Sequence, residues 1–179
     1  MTLQWLPAAG VVSVGGDRLT ANLHQLDGAI DYQVAAPALG GGARVRFAAG
    51  YGATLFRAQD QSPAQISNDV WQRVWLGAGL ALPLGERLRL SVLASGAPLV
   101  LLSEQRLHSG SSARGFGLSG ELSLAARLGA RLQAELLAGV QWLRAQPEGP
   151  SDRPGYLVQP IDSVRLLAVP LRLGVSAQF

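Results

Sequence analysis

The chain has no cysteine, which excludes a disulfide framework and any cysteine-ligated metal site. It has no lysine: all 15 basic residues are arginine, a bias that a GC-rich coding sequence produces. Charged residues make up only 15% of the 179 residues, too few to clothe a soluble domain in mixed charge. No stretch of 18 consecutive apolar residues occurs, so no membrane-crossing helix is indicated. The arginines are scattered, with no aromatic-basic stripe, so no nucleic-acid partner is expected. The two histidines and twelve acids show no metal-ligand spacing, and no metal, cofactor or catalytic residue is expected. The segment Met1–Trp5 lacks the basic start and apolar core of a secretory leader. The expectation is a mature chain, or the C-terminal barrel of a longer one.

What the chain does have is strict alternation. From Leu167 to Phe179, one face carries Leu167, Val169, Leu171, Leu173, Val175, Ala177 and Phe179. The other carries Ala168, Pro170, Arg172, Gly174, Ser176 and Gln178. That period of two is a strand with one wholly apolar face. The same pattern recurs over 45–55, 116–126 and 132–142. It weakens over 88–102, where both faces become apolar after Leu99. In the first hairpin, residues 3–36, the phase slips between Leu23 and Leu26, which predicts a β-bulge there. Residues 121–139 are rich in good helix formers, but their apolar period is two and Gly129 interrupts them. Pattern outweighs propensity, and strand is predicted.

Three short turn signals, at 37–42, 83–87 and 128–130, separate these segments on one side. Longer polar stretches, at 59–63, 104–114 and 145–161, separate them on the other. Four hairpins with short turns at one end and long loops at the other give eight strands in a single domain, 1–179. The predicted fold is all-β, a transmembrane antiparallel up-and-down β-barrel.

The non-lipid face decides against a soluble barrel. It is mostly Gly, Ser, Ala and Gln with isolated charges, which suits the crowded lumen of a narrow barrel. Asp31, Glu121 and Glu135 are expected to point inward, with Arg44, Arg46, Arg73, Arg89 and Arg172. Unpaired charge in a tight interior is costly, so these should pair and plug the lumen. Trp71, Trp75, Trp142, Phe56 and Phe116 are expected as an aromatic belt by the long loops, with Phe179, Phe47 and Tyr32 by the short turns.

Two motifs are read as structural. Gly115-Phe116-Gly117-Leu118-Ser119-Gly120 matches a dinucleotide fingerprint, but a loop rather than a buried strand precedes it. His108 beside Ser109 sits in a predicted loop and His24 near Asp27 is isolated, so neither makes a nucleophile–base pair.

The last eight residues read polar-x-Gly-x-x-apolar-x-aromatic, from Arg172 through Gly174 and Ala177 to the terminal Phe179. They resemble the C-terminal β-signal by which bacterial outer-membrane barrels are recognised for insertion. The chain as a whole resembles small eight-stranded outer-membrane barrels of the OmpA-transmembrane, OmpX and OmpW kind. The resemblance implies an outer-membrane location, insertion by the barrel assembly machinery, and contact with outer-membrane lipid and lipopolysaccharide. It leaves activity open. The leading expectation is a non-enzymatic structural or interaction barrel, anchor or adhesin-like, with a side-chain-filled lumen and a possible protein partner at its long loops. The alternatives are a narrow channel for small or apolar solutes and a lipid-modifying enzyme.

Overall fold

A computed structural model describes residues 2–14, 17–57, 69–104, 112–129, 132–150 and 162–177; for 2–23, 57, 112, 172 and 174–177 the description covers the backbone alone. Strand follows strand throughout: β1 (Thr2–Val14), β2 (Asp17–Ala35), β3 (Arg44–Arg57), β4 (Asp69–Pro83), β5 (Leu88–Glu104), β6 (Ser112–Arg127), β7 (Leu132–Glu148), β8 (Val164–Ala168) and β9 (Leu171–Ala177). Each of β1 to β7 pairs antiparallel with the next in sequence. Strand β7 then pairs with β8 and β9, and β8 pairs back to β1 over five residue pairs, Gly10–Ala168 to Val14–Val164. The sheet is a ring of eight staves, β8 and β9 being two parts of the last one. Residues 121–127 and 132–139 lie in β6 and β7, as their alternation required.

The break between β8 and β9 falls at Val169-Pro170, inside the segment whose alternation predicts one continuous strand. Proline has no N–H for the ladder. Its carbonyl still accepts from Gly139 N at 3.0 Å, which keeps the two parts in line.

The short turns have the chemistry they need. A 3-10 turn at Pro37–Leu39 leads into Gly40, Gly41 and Gly42, all at positive φ, and Gly85 at φ 86 carries the β4–β5 turn.

Alternation sorts side chains into two populations. Outside stand Ile30 (69% exposed), Leu76 (58%), Leu118 (59%) and Leu171 (71%), with Leu122, Leu136 and Val140 between them. Inside stand Phe56, Trp71, Val100, Leu143 and Leu166, all at 1% or less. A water-soluble barrel would reverse this; an apolar outer wall fits hydrocarbon. Strands of 13 to 19 residues, as in β1 and β2, rise roughly 30 Å when tilted, enough to cross a bilayer core.

Two irregularities differ from expectation. No bulge occurs at Leu23–Leu26: β2 keeps unbroken register with both β1 and β3. The register pairs Leu23 with Phe56 and Leu26 with Ala53 without an extra residue. The bulge lies on β5 instead. Its register against β6 shifts between Ala97 and Val100, around Pro98, and against β4 between Val74 and Leu76. The buried face therefore changes from Ser91, Leu93 and Ala97 to Val100 and Leu102, and both faces of the segment read as apolar.

Candidate functional site: a two-layered lumen

The interior has two layers. Toward the long connections lies an apolar cluster: Phe56, Trp71, Val100, Leu143, Val164 and Leu166 pack together with Ala97, Leu102, Ala113, Ala145 and Ala168, with Asp69 buried beside them. These come from β3, β4, β5, β6, β7 and β8. Deeper in, polar groups replace them.

The polar layer is organised around Arg73 on β4. One Nη reaches Asp27 on β2 in an ion pair. The other donates to Thr54 Oγ1 on β3 at 3.1 Å. With its amide turned to accept, Gln141 on β7 takes hydrogen bonds from Arg73 Nε (2.9 Å) and Nη1 (3.0 Å). Gln25 Nε2 donates to the second oxygen of Asp27 at 2.5 Å. One guanidinium thus ties four strands together, and its planar fork suits that task better than an ammonium would. Gly52 makes room for the contact: a Cβ there would collide with both Asp27 Oδ1 and the Arg73 guanidinium.

A second pair lies nearer the short turns. Asp31 Oδ2 accepts from Arg46 Nε (3.0 Å) and Nη2 (2.5 Å), and Gln33 donates to Asp31 Oδ1 at 3.0 Å. Between the two pairs is a cavity of about 100 Å³, lined also by Trp75, Ser95, Ser119 and Glu121. Ser95 and Ser119 hydroxyls are 2.5 Å apart on its wall.

The expected lumen charges fall into three groups. Asp31, Arg46, Arg73 and Glu121 converge on this cavity. Arg44 and Arg89 keep the inward phase but lie exposed at the short-turn mouth, and Glu135 is half-buried on the same phase. Arg172 stands opposite Leu137 in β9, and its side chain lies outside the described residues. The sequence reading missed Gln25, Asp27, Thr54 and Gln141 as partners. Their signal was available: each shares the inward phase of an already assigned charge on its own or a neighbouring strand.

Three aromatics are corrected. Trp71 and Trp75 do not form an interface belt; Trp71 is fully buried and Trp75 is packed against the apolar lumen cluster. Period two decides it, since both share a face with inward Arg73. Phe56 is inward for the same reason. Phe116 and Trp142 are outward, in an edge-on contact with ring centroids 5.4 Å apart. Phe47 and Tyr32 are exposed on the outer wall near the short turns. Phe179 and His108 lie outside the described residues, while Gly174 and Ala177 are backbone positions of β9. Of the fingerprint glycines, Gly115 and Gly117 face the lumen and Gly120 the outer wall; a Cβ at Gly117 would meet Leu143. Among the described residues no group of three His, Asp or Glu is placed to hold a metal.

An apolar outer wall around a filled lumen defines a membrane β-barrel. The particular likeness is to the crystal structure of Neisserial surface protein A (NspA): TM-score 0.53, 14% identity, 97% of this chain and 93% of that chain covered. No protein-family model and no curated protein sequence matches the chain. At that identity the likeness speaks for the fold.

Proposed function

We propose that the protein is an integral outer-membrane β-barrel with a structural or interaction role, an anchor or adhesin-like protein rather than an enzyme. The observation that carries this reading is the pairing of an apolar outer wall with an apolar layer across the lumen, where Phe56, Trp71 and Leu143 are 1% exposed or less. A conduit needs a continuous polar path, and between the small cavity beside Arg73 and the long connections lies that apolar cluster. Function then falls to surfaces outside the lumen: the wall, which meets outer-membrane lipid and lipopolysaccharide, and the long connecting stretches 58–68, 105–111 and 149–161 as the candidate seat of a protein partner. The assembly machinery reads the C-terminal residues Arg172, Gly174, Ala177 and Phe179.

The test is expression behind a secretory leader in a Gram-negative host. The protein should fractionate with the outer membrane and migrate differently before and after boiling, because a closed barrel has no free edge and resists detergent. Identical migration, or recovery in the soluble fraction, would overturn the reading. Deleting Phe179 should lower the folded yield, and wild-type yield would remove the C-terminal signal from it.

A further inference from the structure

The outer wall changes character where the long connections leave it. On β6, β7 and β8 the register builds three rows there. In the first, Leu118 stands opposite Trp142, and Trp142 opposite Leu167. In the second, Phe116 stands opposite Arg144, and Arg144 opposite Arg165. In the third, Arg114 stands opposite Gln146. All three arginines are on the outward phase: their strand neighbours Ala113, Leu143, Ala145, Val164 and Leu166 are buried in the lumen.

Arg144 and Arg165 are directly opposed across an antiparallel ladder, where Cβ atoms stand about 4.5–5.5 Å apart and like charges repel. Arg144 Nε is buried and has no hydrogen-bond partner. Of the acids nearby, Glu148 lies two positions beyond Gln146 on the same phase and has an interaction of its own, and Asp162 is exposed. Neither stands between the two opposed guanidinium groups in the register. The lumen makes no use of these arginines, because they point away from it.

We propose that Arg114, Arg144 and Arg165 bind the phosphate groups of an anionic lipid of the outer leaflet. A phosphate between Arg144 and Arg165 converts their repulsion into two charge-assisted contacts, and guanidinium forks match its oxygens. The apolar row just below, Leu118, Trp142 and Leu167, is where the acyl chains of such a lipid would lie, and the Phe116–Trp142 pair marks the boundary level. A soluble anion would use the arginine rows alone; a phospholipid-type ligand uses both, which is why the patch is assigned to lipid. The inference rests on the outer-membrane reading and adds to it a site.

The experiment titrates diphosphoryl lipid A into the refolded full chain in a nonionic maltoside detergent, with heat-modifiable migration recorded first. Wild type should bind it at least about tenfold more tightly than the same lipid stripped of phosphate, since each charge-assisted contact is worth a factor of that order. Arg144→Gln/Arg165→Gln should lose about tenfold or more, while Arg44→Gln/Arg89→Gln, at the opposite mouth, should bind as wild type. Should the double variant not fold, Arg165→Gln alone, at an exposed position, should still lose about tenfold. Equal binding of the two lipids, wild-type affinity in Arg165→Gln or the double variant, or full displacement by millimolar inorganic phosphate would overturn the site. A wild-type chain that gives no heat-modifiable band would instead overturn the barrel reading beneath it.

Discussion

Arg73 on β4 and Asp27 on β2 form an ion pair across the intervening strand β3, over the bare backbone of Gly52. Register puts the three in one row, Asp27 opposite Gly52 and Gly52 opposite Arg73. Any side chain at the middle position would fill the space the pair occupies. Gly52→Ala should therefore destabilise the barrel by about 1–3 kcal/mol, the range for overpacking a tight interior. Gly120→Ala is the control: nothing lies within 4 Å of its would-be Cβ. Reversible urea unfolding in detergent measures both, and equal stability of the two variants would contradict the row.

The pair itself sets a second expectation. The side chains of Arg73 and Asp27 are 7% and 14% exposed. Removing one partner leaves the other charge buried and uncompensated. Asp27→Ala should cost about 3 kcal/mol, the low end for such a pair. Asp27→Ala/Arg73→Met should cost less than the sum of its singles by more than about 1 kcal/mol. Additive costs would show that the two residues act independently.

The barrel was legible because alternation is a local signal. Face by face, 45–55, 116–126 and 132–142 gave their inward and outward sets without reference to other strands. The lumen's partners were not legible in the same way. Asp27, Thr54 and Gln141 reach Arg73 from three other strands, the first two through register and Gln141 across the lumen. The aromatic misplacement had another cause. Aromatics near strand ends were assigned to an interface by position, although parity with Arg73 already placed Trp71 and Trp75 inside. The apolar lumen layer hid partly in 99–102, where both faces are apolar. Pro98 and Pro170 also disturb the ladder. The arginine rows on β6, β7 and β8 were invisible for the opposite reason: Arg114, Arg144 and Arg165 are spaced far apart and become one patch only through pairing.

The outer wall predicts a depth dependence. Val140 lies midway along β7 on the outward face, and Leu132 at its short-turn end. Val140→Arg should destabilise by roughly 2–4 kcal/mol and Leu132→Arg by about 1 kcal/mol or less, because charge is costly at mid-bilayer and tolerated near an interface. Refolding into vesicles of defined lipid with denaturant titration reads both. Equal costs would mean that the two positions are not at different depths.

The last expectation concerns transport. Between the Arg73 network and the long connections, Phe56, Trp71, Val100, Leu143, Val164 and Leu166 are all essentially inaccessible, and on the proposed reading they close the lumen. An ion crossing between these apolar side chains would give up much of its hydration, a cost well above thermal energy. Wild-type protein in planar bilayers should therefore show conductance indistinguishable from bare membrane. Replacing single members is not expected to open it, because eight staves leave room only for side chains and the neighbours still fill the section. Trp71→Ala/Phe56→Ala removes the two largest members and should produce brief, small openings together with lower stability, since deleting each buried aromatic costs about 3–5 kcal/mol. A large, steady current from the wild type would show that the apolar layer does not close the lumen, and would put a conduit ahead of an anchor as the role of this barrel.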